Sequence, residues 1–194
     1  MSPFPNVVLA LPEWLQRHTT ASPPFRSLED RMRFVISLAA HNVERGTGGP
    51  FGAAVFESET GLLVAPGVNL VESTQCSVAH AEAVALMVAQ QVLGTYDLGA
   101  PHLPSLELVT SSQPCIQCYG NVWWSGVKRL VTGSSVQQTT SITGFDEGPV
   151  PADWAETLRR KQPPTRSIEV IEGVLEDEAC KVLSQYVERG GVIY

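Results

Sequence analysis

Two short motifs bring together residues that can bind a metal ion and move protons. His80 and Glu82 are separated by one residue, and Cys115 and Cys118, with two residues between them, follow Pro114. Two thiolates and one imidazole suit zinc in tetrahedral geometry. Cysteines three positions apart share one helix face, and the positive end of a helix favours the thiolate form. The spacing therefore predicts one zinc ion per chain, held by His80, Cys115 and Cys118.

The predicted zinc site has three protein ligands, which leaves one tetrahedral position for water. Such an open position is typical of catalytic rather than structural zinc. Glu82 is not needed as a ligand, and its carboxylate can exchange protons with the water and the substrate. A Cys-x-x-Cys pair alone also fits a redox site, and a single histidine is more commonly structural. A redox pair, however, leaves His80 and Glu82 unexplained.

The elements that must position these motifs alternate between helices and strands. Helices are predicted from Ser27 to Gly46, over 79–93, from Pro114 to near Gly126, around 152–160 and over 176–189. Strands are predicted over 51–57, 62–69, 106–110, 129–132 and 168–175. This order indicates one sheet between helices, with parallel pairing of strands joined by helical crossovers. Both metal-binding motifs begin helices that follow strands, so they are expected to meet in one crevice.

Composition limits the classes of protein to consider. The chain has 194 residues, 43% hydrophobic and 17% charged, which fits one globular domain rather than general disorder. We predict an irregular arm over 1–26, with a short helix near Trp14, and a single domain over 27–194, whose part 134–194 closes over the substrate. Pro12 stops the apolar stretch 7–11, so neither a signal peptide nor a membrane span is expected. We expect a cytoplasmic protein with reduced thiols.

The net charge of −7 argues against nucleic acid as a partner, because phosphate contacts need clustered basic residues. The longest basic run is the triplet 159–161, which is typical of a solvated helix end.

The combination of His-Ala-Glu with Pro-Cys-x-x-Cys resembles the cytidine deaminase-like superfamily of zinc deaminases, for which this pattern is a known signature. The resemblance extends from about residue 30 to the end of the chain and is closest to bacterial guanine deaminases and their triazine-acting relatives. It implies a three-layer α/β/α fold, with a central mixed sheet of about five strands. It also implies hydrolysis of a purine-like free base, with guanine giving xanthine and ammonia.

The resemblance also implies a set of substrate-binding residues. Residues 48–53, which include Phe51, look like the loop and first strand that form the floor of the base pocket. Asn69 matches a position from which the family binds the base, and Ala81 lies between the zinc ligand and the catalytic acid. Trp124 matches an aromatic position of the pocket wall. Phe51 and Trp124 are equally compatible with ordinary core packing.

The last part of the resemblance concerns the C-terminal region. The segment 144–147 resembles the family's Gly-Phe-Asp-Asp, whose last acid binds the purine and moves protons. That position is Glu147 here, one methylene longer, with Asp146 as the alternative acid. Tyr194 is similar to a residue in relatives whose C-terminal tail closes the pocket of a domain-swapped dimer. We therefore expect a homodimer, with domain swapping as one possible form.

Three other functions remain open at this point. A tRNA adenosine deaminase shares the zinc motif, but the acidic balance argues against it. Another small-molecule deaminase would act on cytosine, a nucleoside or an aminotriazine, and an ammonia-release screen separates these substrates. A non-catalytic zinc-stabilised module would unfold on metal removal without showing any turnover, and Glu82 argues against it.

Overall fold

A computed structural model describes residues 7–19, 24–162 and 165–194, which contain eight helices and five strands. The helices are α1 Glu13–Thr19, α2 Leu28–Glu44, α3 Val71–Thr74, α4 Ala81–Leu93, α5 Ile116–Ser125, α6 Val136–Thr143, α7 Trp154–Arg159 and α8 Glu176–Glu188. The strands are β1 Gly52–Glu57, β2 Leu63–Val68, β3 Leu106–Ser112, β4 Arg129–Ser134 and β5 Glu169–Ile171. The predicted arm over 1–26 lies partly outside the described residues.

The five strands form one mixed sheet in the order β2-β1-β3-β4-β5. β1 pairs antiparallel with both β2 and β3, whereas β3, β4 and β5 pair in parallel. The predicted parallel pairing is thus confirmed for the last three strands. β2 runs in the same direction as β3 but is separated from it by β1, so the crossover through α4 joins strands that are not neighbours.

Side chains that alternate along the strands form two apolar cores, one on each face of the sheet. The core shared with α2 and α8 contains Ala54, Phe56, Val109 and Val131. The core shared with α4, α5 and α7 contains Ala53, Val55, Leu108 and Leu130. The three-layer α/β/α architecture is therefore confirmed.

Helix boundaries follow local capping signals. The Ser27 side chain accepts from the backbone N–H of Asp30 and caps α2, as the sequence predicts. Gly94 ends α4 in the left-handed conformation. Gly67 of β2 faces the first turn of α4, where an added Cβ would collide with the backbone oxygen of Ala81. This close approach fixes the beginning of α4 against the sheet, beside His80.

Three elements differ from the sequence prediction. α3 and α6 were not predicted, and β5 covers three residues instead of the predicted 168–175. The β-branched Val, Ile and Thr residues of α6 have low helix propensity, but Ser135 and Gln138 form a capping box at its start. The cap, together with packing against α8, outweighs that propensity.

The described part of the N-terminal arm contributes to the core. α1 is the short helix predicted near Trp14, and it buries Trp14 and Leu15. The Trp14 ring stacks on His41 of α2, with ring centroids 5.8 Å apart. Among the described residues, every helix is too short or too polar to cross a bilayer.

Candidate active site

The two predicted metal-binding motifs meet because each begins a helix at the same edge of the sheet. β2 and β3 run in the same direction, and the chain leaves their carboxyl ends towards α4 and α5. His80 is the N-cap of α4 and Cys115 is the N-cap of α5. His80 Nδ1 lies 3.4 Å from Cys115 Sγ and 3.6 Å from Cys118 Sγ.

This donor set fits zinc. The ligand atoms of His80, Cys115 and Cys118 all lie within 4.8 Å of one another, and no other such group of three occurs in residues 7–19, 24–162 and 165–194. All four cysteines of the chain are free thiols. An imidazole and two thiolates match the ligand type and number of catalytic zinc sites, which leave a fourth position for reactants.

The thiols of Cys115 and Cys118 are electrostatically coupled. A hydrogen bond from the Cys118 thiol, helped by His80 and opposed by burial, lowers the pKa of Cys115 to about 4. The same hydrogen bond, with burial and the charge of Glu82, raises the pKa of Cys118. Because zinc binds thiolates, metal binding displaces the proton that Cys118 would otherwise keep.

Glu82 lies in the first turn of α4 with its side chain buried beside this cluster. Its Oε2 is 3.3 Å from Cys118 Sγ. Burial first, and then the negative charge of Cys115, raise the pKa of Glu82, although His80 opposes the shift. A raised pKa brings a carboxyl group closer to the pH at which it can serve as a proton carrier.

A cavity of about 180 Å³ opens beside the cluster. Of the residues predicted from the sequence, eight line it: Phe51, Asn69, His80, Glu82, Cys115, Asp146, Glu147 and Tyr194. The volume is below the range for drug-sized ligands and suits a single small heterocycle.

Asn69 lies at the end of β2 with its side chain amide buried at the cavity. Its Oδ1 accepts from the backbone N–H groups of Gly49 at 3.4 Å and Val71 at 3.2 Å. These two donors establish which end of the amide is oxygen. Because Oδ1 already accepts from two backbone N–H groups, Asn69 has its Nδ2–H group for a ligand.

Glu147 and Asp146 differ in their surroundings. Asp146 is exposed, and its Oδ1 accepts from the Gly148 backbone N–H at 2.9 Å. The backbone oxygen of Glu147 accepts from Ile116 N–H at 3.0 Å, which fixes the segment to the helix that carries the cysteines. Burial, followed by the charges of Cys115 and Glu82, raises the pKa of the Glu147 carboxyl to about 7.

The C-terminal tail, defined here as residues 190–194, covers the cavity of its own chain. The Tyr194 ring lies 5.1 Å from the Phe145 ring between centroids. Asn69 donates a hydrogen bond to the Tyr194 hydroxyl, although burial is the larger influence and raises the pKa of Tyr194. The tail therefore contributes Tyr194 to the lining of the cavity that His80 and Cys115 also line.

Comparison with known proteins gives the family. Residues 26–134 match the model of the cytidine and deoxycytidylate deaminase zinc-binding region. The guanine deaminase of Bacillus subtilis is 33% identical over 119 residues, which cover 61% of this chain and 71% of that protein. The solved structure of guanine deaminase from Nitrosomonas europaea is 42% identical, covers 93% of this chain and 96% of its own, and has a TM-score of 0.86.

A further solved structure is a variant of the protein named NE0047 in complex with 8-azaguanine. It is 42% identical, covers 95% of this chain and 97% of its own, and has a TM-score of 0.88. The chain belongs to the cytidine and deoxycytidylate deaminase zinc-binding family. It is a zinc-dependent hydrolytic deaminase, and the matched residues 26–134 contain both zinc-binding motifs.

Two predicted substrate-binding residues of this deaminase lie outside the cavity. The Ala81 side chain packs in the core, so its contribution is limited to the backbone N–H in the first turn of α4. Trp124 is 78% exposed, so the predicted wall position does not hold within this chain. At about 100° per residue, six positions after Cys118 place Trp124 about 120° away around the helix.

Four residues that line the cavity of the deaminase were not predicted: Ser77, Ser112, Gln113 and Phe145. Phe145 lies within the acidic segment 144–147, and Gln113 directly precedes the Pro-Cys motif. Both residues could have been proposed from their position beside these sequence motifs. Ser112 is the last residue of β3, and no local pattern distinguishes its side chain from those of other strand residues.

Proposed function

We propose that this deaminase hydrolyses guanine to xanthine and ammonia. The observation that carries the proposal is the position of Glu147, whose carboxyl group lines the same cavity as the zinc ligands and Glu82. Guanine presents two adjacent donors, N1–H and the exocyclic amine, and a carboxylate can accept from both. The relatives that are named guanine deaminases, and the structure that contains 8-azaguanine, support a purine base as the substrate.

The catalytic chemistry follows from the groups around the cavity. When bound by His80, Cys115 and Cys118, zinc supplies the Lewis acidity that produces a hydroxide nucleophile from water near neutral pH. Glu82 accepts the proton that water loses and delivers it to the ring nitrogen as hydroxide adds to the carbon bearing the amine. Glu82 then takes the remaining proton of the added hydroxyl group and transfers it to the departing amine, so one guanine and one water give one xanthine and one ammonia.

Binding of the base is assigned to the other side of the cavity. Glu147 accepts from the base, Asn69 donates through Nδ2 to a ring acceptor, and Phe51 and Phe145 supply apolar surface. Asp146 is a weaker candidate, because its carboxylate already accepts from Gly148 N–H. Tyr194 closes the cavity, which leaves little room for a ribose and favours a free base over a nucleoside or a tRNA.

The proposal is tested by incubating the purified zinc-loaded protein with guanine and measuring ammonia and xanthine. Glu82→Gln should retain zinc and lower kcat by at least about 100-fold, because proton transfer is lost. Glu59→Gln, at an exposed position, is the matched control and should retain full activity. Full activity of Glu82→Gln would overturn its role. Turnover of cytosine or an aminotriazine, but not of guanine, would reject guanine as the substrate.

We also propose a homodimer that forms through an apolar surface on α4 and α5. Val78, Met87, Tyr96 and Trp124 are exposed along one groove between these helices. Exposed apolar patches of this kind mark protein interfaces. Sedimentation analysis should show a dimer that Trp124→Glu converts to a monomer, and a wild-type monomer at micromolar concentration would contradict the proposal.

Exchange of the tail between subunits is a second arrangement of this dimer. A mixture of Glu82→Gln and Tyr194→Ala subunits distinguishes the two arrangements. Exchange restores one complete site per mixed dimer, whereas a tail that closes its own pocket leaves no site with both residues intact. We further propose a cytoplasmic location, because thiolate ligands require reduced cysteines. A role in purine metabolism follows from guanine as the proposed substrate.

A further inference from the structure

The tail that closes the cavity is held by a residue that does not line it. Tyr186, in the last turn of α8, directs its hydroxyl towards the Val192 carbonyl oxygen at 2.6 Å and Glu72 Oε1 at 3.0 Å. A phenol has one hydrogen to donate, so the two acceptors share it. Through this group, three separate parts of the chain meet: α8, α3 and the tail.

The ring and backbone of Tyr186 also contact the tail. The Gly191 backbone N–H donates to the Tyr186 carbonyl oxygen at 3.0 Å. Gly191 lies directly on the ring, where an added Cβ would collide with it. On its other side, the ring stacks on Phe145 with centroids 6.1 Å apart, and Phe145 lines the cavity. The path of the chain from Gly191 to Tyr194 is therefore determined by its contacts with Tyr186.

We propose that Tyr186 is a positioning residue that holds Tyr194 over the base pocket. The proposal rests on the proposed deaminase function of that pocket and adds a residue that acts on substrate binding through the tail. Tyr186 contacts neither the zinc ligands nor Glu82 among its described partners, so its effect on the reaction must pass through Tyr194.

The hydroxyl contact with Val192 gives the proposal its physical basis. Val192 is two residues before Tyr194, and without the phenol its carbonyl oxygen would hydrogen-bond to water in a freer tail. Burial first, and then Glu72, raise the pKa of Tyr186, so the group remains a donor throughout the physiological range. Removing one such hydrogen bond is expected to shift a tail equilibrium by about fivefold.

The kinetic test uses Tyr186→Phe, which keeps the ring and removes the hydroxyl. Its KM for guanine should rise about fivefold, with kcat within about twofold, because the tail contributes to binding before and during reaction. Thr60→Val, which removes an exposed hydroxyl group from the turn between β1 and β2, is the control and should leave both constants unchanged. In a Tyr194→Ala background, Tyr186→Phe should have no further effect, since the two act as a unit. Additive effects would overturn the proposal.

A second measurement does not depend on activity. Amide hydrogen exchange of residues 190–194 should be about fivefold faster in Tyr186→Phe than in wild type, with exchange in α4 and α5 unchanged. Glu72→Ala leaves the Tyr186 hydrogen wholly to the Val192 carbonyl oxygen, so it should not accelerate these amides. Unchanged exchange in the tail of Tyr186→Phe would overturn the proposal. A wild-type protein that shows this exchange pattern but no guanine turnover would leave the positioning role intact and reject the proposed function.

Discussion

The cavity has two halves that are built in different ways. In the zinc half, His80, Glu82, Cys115 and Cys118 occupy N-caps or first turns of two helices that begin at one sheet edge. In the base-reading half, Phe145, Glu147 and Tyr194 lie on segments without regular structure. Local helix geometry positions the first set, whereas contacts between distant segments position the second.

This difference predicts which substitutions affect the chemical step and which affect binding of the base. Removing a zinc-half residue should abolish the chemistry, because nothing else in the cavity can replace a ligand or the proton carrier. Removing a base-reading residue should weaken binding in steps, because several weaker contacts share that task. Four predictions follow this contrast, from the largest expected effect to the smallest.

The largest effect is expected from Cys118→Ala. Cys118 is fully buried, and its loss removes one of the three protein ligands of the zinc ion. The variant should contain no zinc by elemental analysis, show only the background rate with guanine and melt at a lower temperature. Cys180→Ala, at a half-buried cysteine of α8, should retain zinc and activity. One zinc per chain in Cys118→Ala would break the assignment of the ligands.

A smaller effect is expected from Glu147→Gln. The amide loses the charged acceptor for the base, so kcat/KM for guanine should fall by about 10- to 100-fold, with zinc retained. Asp146→Asn should cost less than tenfold, because its carboxylate already accepts from Gly148 N–H. The reverse order in steady-state kinetics would transfer the base-reading role to Asp146.

The pH dependence sharpens the same assignment. The Glu147 pKa is raised from 4.5 to about 7, chiefly by burial, so the carboxyl is protonated below pH 7 and ionised above it. If the ionised form binds guanine, kcat/KM should rise as the pH increases through about 7. In Glu147→Gln this rise of kcat/KM with pH should disappear. If the same rise is still present in the variant, another group is responsible for it.

The smallest effect on catalysis is expected from Trp124→Ala. Trp124 lies outside the cavity, so the KM for guanine should stay within about twofold of the wild-type value, while self-association weakens. Measurement of both quantities on the same preparation separates the two roles. A KM increase above tenfold in a preparation that remains dimeric would contradict this prediction and show that Trp124 belongs to the pocket wall.

The same contrast explains what could be predicted from the sequence. The zinc cluster was predictable because its ligand types and spacing within each motif are short-range features. α2 and α4 were predictable because a capping serine and a terminal glycine mark their boundaries. α6 was missed because five of its eight residues are β-branched, although the Ser135-x-x-Gln138 spacing of its capping box is present in the sequence.

The base-reading half could be predicted only in part. The resemblance identified Glu147 and Tyr194, which both line the cavity. It could not show that Gly49 and Val71 occupy the oxygen of Asn69, because these contacts join different segments. It also placed Trp124 at the wall, although helical periodicity separates that residue from the face that carries Cys118.

The most direct test of the account is a crystal structure with 8-azaguanine bound, with diffraction data collected at the zinc edge. We predict one anomalous peak coordinated by His80, Cys115 and Cys118, and a base whose donor edge contacts Glu147 while Glu82 faces the reacting carbon. An anomalous peak elsewhere, or a base bound away from both glutamates, would contradict the account.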